Sequence, residues 1–186
     1  MPSYPVKNFS SASTAANVVS GTAQTLQSML RAYLNTGFGS KAVQSLVIAA
    51  GIATLTYATA HAYPVGSVVR VAGGGLAAAN GEQLVLTTSA TTATYAVPGA
   101  PDGAVTGSIT TDFAPLGWAE TFTNGGLSVF KPSVIEATGM LLRVDDTGTT
   151  NARIRAFESM TDVSTGVGPI PLDSQVSGGL YWPKSG

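Results

Sequence analysis

The stretch LLRVDDTGTTNARIRAFESM, residues 141–160, gathers the side chains of this sequence best equipped for chemistry: Asp145 and Asp146 side by side, Arg143 before them, Arg153 and Arg155 after. Two carboxylates can act as the acid and base of glycoside hydrolysis, or as oxygen ligands of Ca²⁺. The first role needs both groups to flank one bond, and neighbouring residues on a strand point to opposite faces. The second, in an EF-hand-type loop, needs acids at alternate positions and a closing bidentate Glu, and DDTGTTN has neither. The spacing instead describes a hairpin. Leu142 and Val144 share one face, and Leu141, Arg143 and Asp145 the other. Ala152, Ile154 and Ala156 then face opposite to Arg153, Arg155 and Phe157. A turn over Asp146 to Asn151 sets Arg153 and Arg155 across from Asp145 and Arg143, where opposite charges contribute about 0.2–1 kcal/mol per pair. Asp146, Gly148 and Asn151 supply turn chemistry, because Asp and Asn bond nearby backbone and Gly tolerates positive φ. All five charged residues thus have a structural explanation.

Other groups offer less. His61, the sole histidine, could act as a general base, but no G-x-S-x-G elbow or comparable nucleophile motif accompanies it. It reads as structural, at a strand end running into a turn at Pro64 to Ser67. VAGGGLAAANGE lacks both the G-K-[ST] ending and the G-x-G-x-x-G spacing of a phosphate cradle, so it reads as a hairpin loop. Without cysteine there is no disulfide, thiolate metal site or Cys nucleophile. No cofactor or metal is expected. Trp118, Tyr181 and Trp182 are candidate interface anchors or sugar-stacking surfaces, with core packing an equal alternative for Trp118.

The elements that position these groups follow from periodicity. Residues 2–21 show no period and read as an extended arm. Leu26, Met29, Leu30, Tyr33 and Leu34 recur every three or four residues, which predicts one amphipathic helix over about 22–36, stopped by Gly37. From Lys41 the period is two. SLVIAA, ATLTYATA, SVVRVAG, EQLVLTT, TATYAVP and GSITTDF read as six short antiparallel strands, a small barrel or sandwich over residues 41–112. GWAETFT, LSVFKP, GMLLRVDD and ARIRAFES are further strands, followed by an irregular tail. One helical face cannot bury itself, so residues 1–40 and 113–186 are expected to form a discontinuous α+β body into which the β-module is inserted. The predicted fold class is therefore mainly β.

Composition narrows function. The 186 residues carry 10% charged side chains, against roughly 25% in ordinary soluble proteins. The net charge of −1 gives no field to attract nucleic acid or an anionic membrane surface. The start has no apolar run behind a basic one and does not read as a secretory signal. The charge-free stretch between Lys41 and Arg70 is broken by Gly51, Pro64 and Gly66 before it reaches ~18 apolar residues, which argues against a membrane helix. A neutral β protein with an extended arm suits a subunit of a homo-oligomeric assembly.

Three blocks, SGTAQTLQSMLRAYLNTGFGSKAVQSL, GWAETFTNGGLSVFKP, and LLRVDDTGTTNARIRAFESMTDVSTGVGPIP with GGLYWPKS, resemble small virion proteins of tailed bacteriophages. The segment TAHAYPVGSVVRVAG, followed by NGEQLVLTT, resembles a β-module of phage structural and adhesin-like proteins. The resemblance implies a non-enzymatic structural subunit of the virion, a head decoration or tail component, assembled in the host cytoplasm with other virion proteins as partners. It transfers no catalytic residue. The alternative is a carbohydrate- or receptor-binding β-module of an adhesin-like protein, which would take a host glycan.

Overall fold

The computed structural model describes residues 7–10, 13, 15–134, 137–175 and 181–184. The chain is mainly β and falls into two compact units, Met1–Ala16 with Gly37–Ala114, and Asn17–Thr36 with Pro115–Gly186. The sequence reading had assigned residues 1–40 to the body, whereas residues 1–16 and 37–40 cluster with the β-module. The physical reason is aromatic and ionic. Phe38 stacks on Phe113 with centroids 4.7 Å apart, Phe9 meets Phe38 edge-on at 5.5 Å, and Lys7 pairs with Glu82 at 2.6 Å.

The first unit contains β1 (Phe38–Ala42), β2 (Ser45–Ala49), β3 (Ile52–Thr56), β4 (Val68–Gly74), β5 (Gly81–Leu84), β6 (Thr87–Thr88), β7 (Thr92–Ala96), β8 (Gly103–Val105) and β9 (Gly107–Phe113). They form two antiparallel sheets, ordered β1-β9-β4-β5 and β6-β7-β3-β2-β8. Among the described residues no sheet closes into a barrel, and the arrangement is sandwich-like. Alternation decides which faces are buried. Leu46, Ile48, Ala53, Leu55, Ala93 and Tyr95 line the inner face of one sheet, and Val69, Val71, Ile109, Thr111 and Phe113 that of the other. The two-residue turn between β2 and β3 has positive φ at both Ala50 and Gly51, the twist that suits a tight hairpin.

The Gly-rich segment is part of this architecture. β4 bulges between Ala72 and Gly74 against β9, and Gly73 has φ +82° with Ser108 carbonyl where a Cβ would stand. Gly74 N–H donates to Asn80 Oδ1 at 2.9 Å, while Asn80 Nδ2 returns a bond to Gly74 O at 2.7 Å. Gly75 N–H donates to Thr106 O at 2.7 Å. These amides are satisfied within the fold.

Polar groups inside this unit converge on Thr111. Tyr57 and Tyr63 hydroxyls lie 3.0 and 3.2 Å from its Oγ1, and Tyr63 also donates to Thr111 O and Gly39 O. Tyr95 donates to Ala79 O at 2.8 Å. Burial pushes the Tyr57 phenol up to about 12, although the Thr111 hydrogen bond pulls the other way, and burial pushes Tyr63 and Tyr95 up as well.

The second unit holds the helix α1 (Thr25–Arg31), continued by a π-helical turn at Ala32–Thr36, with β10 (Trp118–Asn124), β11 (Leu127–Pro132), β12 (Leu141–Asp145), β13 (Asn151–Phe157), β14 (Ser159–Met160), β15 (Gly166–Val167) and β16 (Tyr181–Pro183). The helix starts three residues later than the periodicity suggested, after Gln24 in the left-handed region. It ends at Gly37, φ +82°. The main sheet, β10-β11-β12-β13-β16, is antiparallel, and β14 and β15 form a separate two-stranded ribbon. One face carries Phe130 and Val144 against Leu34, with Leu30, Trp118, Leu142 and Ile154 around them. The other packs Val129, Leu141, Phe157 and Met160 with Phe122. A register shift between Glu120 and Phe122 is what sends Trp118 and Phe122 to opposite faces of one strand, since an extra residue reverses the alternation. No described helix is long and apolar enough to cross a membrane.

The tyrosines give a test. An unfolded tyrosine ionises near 10, and the folded values are raised, so their contribution is complete below that pH and disappears as pH rises through the folded values. Tyrosinate absorbance followed with circular dichroism should show these phenols ionising together with loss of β-structure, at or above about pH 12. A smooth titration near 10 with the sheets intact would contradict it.

Candidate functional site

The hairpin expected from LLRVDDTGTTNARIRAF forms with the expected register: Arg143 lies opposite Arg155, Val144 opposite Ile154 and Asp145 opposite Arg153. The charges are used differently from the anticipated cross-strand pairing. Asp145 pairs with Arg143 on its own strand at 3.6 Å and caps the turn through Thr147 Oγ1 at 2.8 Å. Arg143 Nε donates to Val163 O at 2.6 Å, and Arg155 Nη2 to Pro171 O at 3.4 Å. Arg155 also sits over the Phe157 ring, 5.6 Å from its centroid. The arginines thus fasten the chain around 163–171 to the sheet by hydrogen bonds to its carbonyls.

Asp146 differs most from its expected role. It is completely buried, and its carboxylate does not serve its own turn. Oδ1 accepts from Lys184 Nζ at 2.5 Å, and both side chains are 0% exposed. Oδ2 accepts the Gln27 backbone N–H at 3.0 Å. Its own N–H donates to Gly126 O at 2.8 Å, and its carbonyl accepts from Gln24 N–H at 2.9 Å. Gln27 is the third residue of α1, where the N–H would be orphaned, so Asp146 performs from 119 residues away the task of a local N-cap. Lys184 also donates to Gly148 O at 2.9 Å, and its backbone N–H to Thr150 O at 2.8 Å. Four segments therefore meet at one residue, two of them at its carboxylate: the helix start, the β10–β11 turn, the hairpin turn and the residue that follows β16.

A second polar chain adjoins it through Gln27. The Gln27 amide donates to Ser128 Oγ at 2.5 Å, Ser128 to Glu120 Oε1 at 2.6 Å, and Arg31 grips both Glu120 oxygens at 2.7 Å. The Arg31 guanidinium holds the Glu120 carboxyl below its ordinary range, with Ser128 assisting and burial opposing. A serine beside a carboxylate invites comparison with a nucleophile and its base. Here the carboxylate is committed to Arg31, and Ser128 is fully buried, so no substrate reaches it.

His61 is buried and both of its ring nitrogens are engaged: Nδ1 accepts the Tyr63 N–H, and Nε2 lies against Thr92 O, each at 2.9 Å. Tyr57 and Tyr63 flank the ring at 4.7 and 5.3 Å. Among the described residues no group of three or more His, Asp or Glu could hold a metal. A cleft of about 420 Å³ is lined by Ser10, Ser13, Ala62, Tyr63, Pro64, Thr88 and Ser89, but Tyr63, the aromatic among these described residues, is buried and packs edge-to-face with Tyr57 and Phe113. Of the three candidate interface aromatics, Trp118 is partly buried against the Phe130–Val144 cluster. Tyr181 and Trp182 stand 56% and 50% exposed on β16, the edge strand of the sheet.

Sequence reading missed Gln27, Arg31, Glu120, Ser128 and Lys184. Gln27 and Arg31 do fall at i and i+4 on the helix, a polar stripe beside the apolar one, which is the only local signal. Scanned against protein-family models, and compared with curated proteins and with solved structures, the chain finds no match.

Two variants test the assembled centre. Asp146→Ala strands the Lys184 charge in the interior and should cost about 3–5 kcal/mol. The apolar pair Asp146→Leu with Lys184→Met should cost less than Asp146→Ala alone, and chemical denaturation of the three proteins checks the order. Glu120 supplies a pH test. Its folded carboxyl is depressed, so its contribution is present above the ordinary Glu range and is lost as pH falls through the lower folded value. Glu120→Gln should flatten that part of the acid limb of stability against pH. An unchanged limb would separate Glu120 from acid sensitivity.

Proposed function

We propose that this chain is a non-enzymatic structural subunit of a tailed-bacteriophage virion, held on the head or tail by contacts with copies of itself and with other virion proteins. The observation that carries the reading is the exposed pair Tyr181 and Trp182 on edge strand β16, on a chain with few charges. Large aromatics are enriched at the buried centres of protein interfaces, where charged residues are depleted. Val167, Ile170 and Leu172, also exposed, lie on the connection that borders the same edge, since Ile170 bridges to Ala156 of β13. The three sequence blocks that resemble phage virion proteins support the same reading, and the third of them contains Tyr181, Trp182, Val167 and Ile170.

The polar chemistry described above is inward-facing. Asp146, Lys184, Ser128 and His61 are buried and spend their hydrogen bonds on the fold, as expected of a subunit whose task is shape.

The test is association. Light scattering should give a mass above that of one chain, and the protein should co-sediment with heads or with tails of its phage. Tyr181→Ala with Trp182→Ala should weaken that association by about 2 kcal/mol or more, roughly thirtyfold, with little change in melting temperature. A monomer that ignores both fractions and binds a glycan saturably would overturn the reading in favour of a receptor-binding module. Turnover of a polysaccharide or peptidoglycan would overturn its non-enzymatic part.

A further inference from the structure

Lys184 and Asp146 are placed as the reactants of an amide bond. Nζ lies within hydrogen-bonding distance of Oδ1, at 2.5 Å. Both side chains are fully buried, and neither is free to turn. Gly148 O holds the amine from one side, and the Gln27 N–H holds the far carboxylate oxygen from the other. The ordering that a reaction between two groups ordinarily requires has already been done by folding.

We propose that Nζ of Lys184 and Cγ of Asp146 become joined by an intramolecular isopeptide bond. A proton passes from the ammonium along the hydrogen bond to Oδ1. The neutral amine attacks Cγ, and the charge that builds on Oδ2 is met by the Gln27 N–H, a donor already in position. A second Nζ proton transfers to Oδ1, the Cγ–Oδ1 bond breaks, and Oδ1 leaves as water. Ammonium and carboxylate become one secondary amide plus one water, with no redox change and no co-reactant.

The surroundings match the product as closely as the reactants. A secondary amide has one carbonyl to be satisfied and one N–H. Gln27 N–H already serves the first, and Gly148 O is in place for the second. The bond removes two charges from an interior where charges are held at a desolvation cost, and exclusion of water opposes the reverse hydrolysis. The product would close a covalent loop between the hairpin and the segment after β16, 38 residues apart. This inference stands independently of the virion reading.

Intact-mass spectrometry of the purified full-length protein, kept folded at neutral pH, tests it. The expected mass is one water below that of the sequence, and proteolysis should release a branched peptide linking the Asp146 segment to the Lys184 segment. Lys184→Arg and Asp146→Ala should both show the full mass, but the decision rests on the unaltered protein and does not need either variant to fold. A full sequence mass in a sample with native circular dichroism overturns the proposal. So does a missing water that maps to Asp102–Gly103, where a succinimide would give the same loss without a cross-link.

Discussion

Burying a carboxylate obliges a protein to surround it with donors, and in the second unit this obligation organises everything else. Asp146 lies at the end of β12, away from water, and each of its polar functions is answered by a different segment: Lys184 and Gln27 at the carboxylate, Gly126 and Gln24 at its backbone. Hydrophobic contacts hold α1 against Phe130 and Val144, but such contacts are non-directional and allow a helix to slide. The bond from the Gln27 N–H fixes where along the sheet the helix begins. The same reasoning applies to β16. Three exposed residues paired over Asn151 to Arg153 make a weak strand, and Lys184 anchors it immediately afterwards.

The first unit meets the same obligation without charge. Its buried polar side chains are phenols, a hydroxyl, an imidazole and the Gln83 amide, satisfied by one another and by carbonyls through Thr111, Gly39, Ala79, Asn80 and Thr92. Neutral networks of this type have a smaller desolvation cost than ions. Ionisation of the phenols is what they resist. Glu120 links the second unit to acid, and the buried phenols link the first to base.

What could be read from the sequence follows from the range of the forces involved. Strand alternation is local, so the six strands of the β-module, the later strands and the hairpin register of Arg143 against Arg155 are legible. So are the inner and outer faces of β12 and β13. Short partners are not. β1 and β8 owe their strand character to β9 and β2, with which they pair, rather than to their own residues. The arm could not be placed because Phe9 and Lys7 find Phe38 and Glu82 through space. Asp146 in DDTGTTN has the form of a turn residue, and only Lys184, distant in sequence and set in a Pro-bearing tail, changes its meaning. The extra residue at Thr121 likewise has no local sign, yet it decides that Phe122 and Trp118 serve different cores.

The low charge of the chain has a further consequence once the pairing is known. Among the described residues, Lys7 pairs with Glu82, Arg31 with Glu120, Arg70 with Asp112, Arg143 with Asp145 and Lys184 with Asp146. Charges paired within the fold contribute little to the field outside it. Long-range steering, which speeds the encounter of charged partners and falls with salt, is therefore weak for this surface. On the proposed reading, recognition would come from short-range fit: apolar anchors such as Trp182 and Tyr181, backbone edges, and the Ser and Thr hydroxyls between them. An interface built that way is slow to form and insensitive to ionic strength, and its lifetime is set by how well the anchors are enclosed.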